Sequence, residues 1–203
     1  MAQVPQVRLH LYHAAEAPLT VILRQGPTRQ TRMILWDRST DSFTDGQWLK
    51  HKIYYERCDL SPDGQHFLYF TLDGQWAGEA AGSYTVISRP PYFTALALYP
   101  QGDTWGGGGY FTSASTFAIR GGGLRDIVGR AAGLRLEPWT EPPPPDAPGR
   151  PLADRQFATE AGRLFEVFRQ ADDGWRRVLL RDFTDMRFEE VRAPYDDRAA
   201  PRA

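Results

Sequence analysis

The chain has 203 residues, 41% of them hydrophobic and 24% charged, with a net charge of −1. These figures describe a globular protein of one domain, or one domain with an elaboration, and exclude a chain too polar to fold. A balance so near zero creates no overall field to draw the molecule to nucleic acid, to an anionic membrane or to acidic ligands.

All but two of the 24 cationic residues are arginine, the exceptions being Lys50 and Lys52. Arginine makes bidentate anion contacts that lysine does not, but the arginines are spread along the whole chain and read as a compositional bias. Cys58 is the only cysteine, so no intrachain disulfide forms, which is compatible with a reducing compartment. Residues Met1 to Gln6 lack the basic start and apolar core of a signal peptide. No apolar run approaches the length that spans a bilayer. The expectation is a soluble, cytoplasmic protein.

Taken in order, the predicted elements are almost all strands. In residues 7–12, Val7, Leu9 and Leu11 alternate with Arg8, His10 and Tyr12, the period-two pattern of a half-buried strand. Pro18 precedes a second run, Leu19 to Arg24, which Gly26 and Pro27 stop. A third, Arg32 to Asp37, is apolar on both sides and predicts a central position in a sheet. Residues 38–42 carry turn chemistry, and Asp45-Gly46 predicts a hairpin corner within the aromatic run 43–49. Ile53 to Leu60 is the next strand candidate.

Then comes Asp59-Leu60-Ser61-Pro62-Asp63-Gly64, followed after Gln65 and His66 by Phe67-Leu68-Tyr69-Phe70. Pro62 and Asp63 suit the two central positions of a tight turn and Gly64 closes it. This dozen of residues resembles a blade segment of the TolB-like β-propeller repeats, in which a Ser-Pro-Asp-Gly turn joins two antiparallel strands. The resemblance implies a blade-like antiparallel sheet. The turn motif occurs once, whereas a closed propeller needs repeated blades.

Beyond it, residues 77–82 predict a loop and 83–88 a strand. Residues 93–99 fit a strand or a short helix, ended by Pro100 and Gly102. Residues 124–136 show roughly helical spacing weakened by Gly129 and Gly133. Residues 138–151 hold seven of the sixteen prolines and predict a polyproline II spacer outside the core. Residues 163–169 and 175–181 predict a hairpin turning at Asp172-Asp173-Gly174, and 187–191 one more strand. The fold class is therefore mainly β: antiparallel blade-like sheets packed as a sandwich or partial barrel, not a closed propeller, with at most one or two short helices. The expected organisation is a main β domain over 1–137 and a spacer over 138–151. C-terminal strands over 152–192 pack back on the main sheet, because two or three strands alone are marginal. A frayed tail covers 193–203.

Chemistry is harder to find. His10 and His13 stand three apart and point to opposite faces of a strand, and Cys58, Asp59 and His66 are too sparse for zinc. No metal and no cofactor are expected. The glycine runs at 106–109 and 121–123 fit neither a dinucleotide fingerprint nor a P-loop. They predict positive-φ backbone beside Trp105 and Tyr110, or an anion nest. There is no nucleophile elbow. The paired carboxylates Asp172-Asp173, Glu189-Glu190 and Asp196-Asp197 read as solvated surface. A thiol in the apolar context of Cys58 reads as inert.

Aromatic residues on loops between Arg89 and Tyr110 are the remaining signal, since loops carry function and aromatics supply contact area. The expected function is a non-enzymatic binding or protein-interaction module whose surface comprises Arg89, Tyr92, Asp103, Trp105, Gly106, Gly107, Gly108, Gly109 and Tyr110. A protein partner is favoured over a small molecule or sugar; nucleic acid and membrane are disfavoured. The alternative is a small hydrolase or transferase with an anion- or sugar-binding pocket at 103–110, using Asp103 as base and Arg89 as electrostatic clamp. That reading requires the two side chains to converge.

Overall fold

A computed structural model describes residues 7–26, 28–121, 124–142, 155–170 and 174–196. Four sheets follow one another along the chain. The first is a meander of β1 (Arg8–His13), β2 (Leu19–Gln25), β3 (Thr31–Asp37) and β4 (Ser42–Leu49). The second is built on β7 (Phe67–Leu72), β8 (Ser83–Ser88) and β9 (Ala95–Pro100). The short strands β5 (Lys52–Ile53) and β6 (Asp59–Leu60) both pair with β7. The third sheet joins β10 (Gly109–Phe111), β11 (Thr116–Ile119) and β12 (Arg135–Glu137), and the fourth β13 (Gln156–Glu160), β14 (Arg163–Arg169) and β15 (Trp175–Asp182). Every pairing is antiparallel except β11 with β12. The sheets close into neither barrel nor propeller, and the one helical segment described is a 3-10 turn at Tyr55–Arg57.

Alternation along each strand explains how the layers stack. In the first sheet Val21, Leu23 and Met33 face the second sheet and meet Phe67, Tyr69 and Val86. Their neighbours Ile22, Ile34 and Trp36 face the other way and meet Leu164 and Phe183 of the C-terminal layer. The second sheet turns Leu68, Ile87 and Ala97 toward Phe111, Phe117 and Ile119 of the third. The layers therefore stack in the order fourth, first, second, third. Two-sided cover is why β2, β3 and β7 read as continuous apolar runs. β1 is half-buried, as its alternation predicts, but on both faces, since Tyr12 packs against one core and Leu9 and Leu11 against another.

The Ser61–Gly64 turn joins β6 to β7. The Ser61 hydroxyl donates to Asp63 Oδ1 (2.6 Å) and accepts from the His66 amide (2.9 Å), while the Gly64 amide donates to the Ser61 carbonyl (2.8 Å). Gly64 has φ +74°, and a Cβ there would stand 2.8 Å from Leu19 Cβ, so the turn is wedged against the β1–β2 connection.

Several local expectations are overturned. Asp45-Gly46 is no corner but part of β4, opposite a register shift in β3. A Cβ on Gly46 would lie 1.9 Å from the Pro91 carbonyl oxygen, so that glycine serves close approach. Residues 124–136 form no helix before β12. Asp126 accepts from the amides of Leu98, Val128 and Gly129, while the amides of Ile127 and Arg130 bond the carbonyls of Leu98 and Leu96. The β9 edge has taken the partners that a helix would have supplied from within itself. Residues 187–191 form no strand. Of the proline-rich stretch, 143–151 lies outside the described residues, but Trp139 and Thr140 pack on Tyr110. Of the expected tail, Ala193 is buried and Tyr195 donates to the Thr94 carbonyl (2.9 Å); residues 197–203 are outside the described set, as are 171–173 of the β14–β15 turn.

Arginine joins the fourth layer to the first. Arg24 and Arg32 are cross-strand partners, each under 5% exposed, with guanidinium groups 5.6 and 5.4 Å from the Trp48 ring. Arg24 donates to the carbonyls of Phe183 (3.1 Å) and Thr184 (2.9 Å). Arg32 donates to the Gly46 carbonyl and pairs with Glu189. From the other side Arg155 bridges Asp41 and Glu166 and also reaches the Arg38 carbonyl. Arg24→Leu is expected to leave two carbonyls unpaired and to lower unfolding stability by about 1–3 kcal/mol. Urea denaturation checks this, and an unchanged midpoint would show that the fourth layer does not depend on the contact.

Candidate functional site

Strand β8 separates the two ends of the predicted surface. Arg89 leaves its last residue, whereas Asp103 sits at its first, because the Ser83 hydroxyl donates to the Asp103 carbonyl and the Gln101 amide to the Ser83 carbonyl. Six residues of extended chain place these ends about 17 Å apart. Asp103 and Arg89 therefore do not converge as the base-and-clamp arrangement at 103–110 requires. The Asp103 carboxylate is used locally: it accepts from the amides of Trp105 (2.8 Å) and Gly106 (2.9 Å), closing its own turn.

At the Arg89 end the aromatic contacts are internal. The Arg89 guanidinium lies 5.5 Å from the Tyr195 ring, and Tyr92 meets that ring edge-on at 6.0 Å. Tyr110 is buried, its hydroxyl 2.7 Å from Thr140 Oγ1 and its ring against Trp139.

The glycine run is occupied by the protein itself. A Cβ on Gly107 would stand 2.2 Å from the Phe70 ring, one on Gly108 2.5 Å from Arg57 Cβ, and one on Gly109 2.1 Å from the Ala118 carbonyl. Gly107 and Gly108 also have φ near +80°. The Gly107 amide donates to the Arg120 carbonyl (2.7 Å) and the Gly108 amide to Thr85 Oγ1 (2.9 Å). These amides are spent on the fold, so no anion nest is open there. Gly106 gives its carbonyl to Arg57, which also reaches the Thr104 carbonyl.

Of the predicted surface, Arg89, Asp103 and Trp105 are exposed, and Trp105, 86% exposed, is the large apolar side chain among them. The neighbouring loop 73–82 offers a second tryptophan that sequence reasoning passed over: Trp76, 52% exposed, lies on Gly82, where a Cβ would meet its ring at 2.4 Å. The signal was there in a lone tryptophan among small residues on a loop. Another apolar patch, Trp175 and Leu179, lies on β15.

The titratable groups are dispersed. His10 stacks on Tyr55 with ring centres 3.8 Å apart, whereas His13 approaches Phe157 of the fourth sheet. Burial pushes the Cys58 thiol up to about 12, and its sulfur donates to the Tyr54 carbonyl rather than to His66. A cleft of about 320 Å³ opens between β4, the second sheet and the segment 188–196, with His51 Nδ1 3.0 Å from the Tyr84 hydroxyl. Burial raises the Tyr84 hydroxyl, which stays protonated at neutral pH. Gln47 knits this cleft together, accepting from the Phe93 and Thr94 amides and donating to the Val191 carbonyl. Among the described residues no three His, Cys, Asp or Glu gather as a metal set, and no helix is long and apolar enough to cross a membrane.

Comparison with family models, with curated proteins and with solved structures finds no match to this chain.

Gly107→Ala is expected to destabilise more than Gly74→Ala: both positions have φ near +80°, but only Gly107 has a ring in the way. Equal melting temperatures for the two variants would show that Phe70 yields. Burial lowers the pKa of both His10 and His66, so both hold a proton less readily in the fold than in the unfolded chain, which takes it up near the ordinary imidazole value of about 6.5. Stability is thus held above that pH and is lost as pH falls below it. Denaturation midpoints at pH 7.5 and 5 check this, with a smaller drop expected in a His10→Gln, His66→Gln double variant.

Proposed function

We propose that this protein is a non-enzymatic interaction module whose contact surface is the pair of loops 73–82 and 101–106, centred on Trp105 and Trp76. The observation that carries the reading is the exposure of Trp105 on a loop whose backbone is fixed. Arg57 holds two of its carbonyls, Asp103 closes its turn, and Gly107 and Gly108 lock the exit against Phe70 and Arg57. Large apolar surface is costly to leave in water, and a preorganised loop loses little entropy on binding. Tryptophan is the residue type most enriched among those that dominate binding energy. Neither tryptophan lines the cleft described above, and a sugar or other small ligand would want a concave site, so a protein partner fits better. A cytoplasmic setting goes with this reading, on the strength of the single cysteine.

The test is affinity capture from the source cells with the full chain as bait, followed by titration of whatever is retained. Trp105→Ala and Trp76→Ala are each expected to weaken the captured partner about 30-fold or more, with the unfolding midpoint unchanged. Retention at the wild-type level by the double variant, or no specific retention by the wild type, would overturn the proposal.

A further inference from the structure

A second cleft, of about 400 Å³, opens between the first and second sheets at the edge of their shared core. Its first wall comes from the face of β1–β3 that meets the second sheet. Within the core that face carries Val21, Leu23 and Met33. His10 stands opposite Leu23, and one turn of the pleat further on the face carries Arg8, Gln25 and Thr31, in register across the three strands. The opposite wall is β5 and the 3-10 turn, presenting Lys52, Tyr54, Tyr55 and Glu56, and Arg29 of the β2–β3 turn completes the rim.

Three permanent cations, Arg8, Arg29 and Lys52, thus line one cleft against a single carboxylate, Glu56, on a molecule whose net charge is −1. None of the three forms an ion pair with a carboxylate among the described residues. Arg155, Arg163 and Arg181, by contrast, each have a carboxylate within 3 Å. The polar floor is ordered. His10 Nε2 lies 3.2 Å from Gln25 Oε1, which leaves the Gln25 amide nitrogen as a donor, and Thr31 Oγ1 is 2.8 Å from the Tyr55 hydroxyl. Unpaired charge of one sign, held in a concave site with low-dielectric walls, focuses the field on an incoming counter-ion. The volume is that of a small-molecule site.

We propose that this cleft binds a small, multiply charged oxyanion, a phosphate ester or a polycarboxylate, with Arg8, Arg29 and Lys52 as its charged contacts and Gln25 as a neutral donor. Arginine holds such groups bidentately and lysine as a point charge. The site is separate from the tryptophan loops, although Lys52 pairs with Leu72 at the root of one of them.

Isothermal titration of the full chain with pyrophosphate and with citrate distinguishes the two sources of charge. Saturable one-to-one binding of either is expected, weakened about tenfold or more by each of Arg8→Gln, Arg29→Gln and Lys52→Gln. Arg176→Gln, an exposed arginine on β15, and the Trp76→Ala, Trp105→Ala double variant are expected to bind as the wild type does. These side chains lie at the surface, so the variants are expected to fold, and melting curves confirm it. Absence of saturable binding for both anions, or equal weakening by Arg176→Gln, would overturn the proposal.

Discussion

Two arginines inside a β-sheet organise this molecule. Arg24 and Arg32 lie side by side on β2 and β3, nearly excluded from solvent and flanking the Trp48 ring. Burial and mutual repulsion lower the pKa of Arg24. Buried charges of like sign are tolerable only when their donors are fully used. Here they are met by the carbonyls of Gly46, Phe183 and Thr184 and by Glu189. Three of those four partners belong to the segment that follows β15. The first sheet therefore requires the end of the described chain to lie across it, and the order fourth, first, second, third follows.

The same economy of partners explains why the centre of the Arg89–Tyr110 region is structural. Gly107 to Gly109 thread between Phe70, Arg57 and Ala118, so the third sheet can approach the second closely. Asp103 and Arg57 fix the loop before it. What such a rigid base presents to solvent is Trp105, with Trp76 on the adjoining loop. At the far end of β8, Arg89 and Tyr92 are engaged by Tyr195 instead. The two ends of a contiguous stretch of sequence thus lie at opposite ends of one strand, one presenting Trp105 and the other, with Arg89 still exposed, resting on Tyr195.

Much of the local architecture was legible because it is written in nearest-neighbour patterns. β2, β3, β7, β8, β14 and β15 announced themselves by apolar or alternating runs, and the Ser61–Gly64 turn by its proline, aspartate and glycine. The misses share one cause: each involved a residue whose partner is remote in sequence. Gly46 reads as a hairpin corner until Pro91 is seen against it. Residues 124–136 read as helical until β9 supplies their partners. The arginines read as bias until Arg24, Arg32 and Arg155 are seen tying layers more than a hundred residues apart. Trp76 stood out as a lone tryptophan on a loop, but its exposure is not a property of sequence, and Arg8 and His10 lay on the face opposite Leu9 and Leu11, which looked like solvent.

By itself, then, the sequence determined that the chain is a mainly β protein of short antiparallel strands joined by tight turns. Period-two alternation and turn chemistry are local and survive without knowledge of the rest. Only the tertiary structure decided which of those faces meet and which cations remain unpaired. Only there do Asp103 and Arg89 prove to lie at opposite ends of a strand. Those facts depend on distances between residues far apart in the chain, set by which apolar faces cover one another and where the buried arginines find their carbonyls.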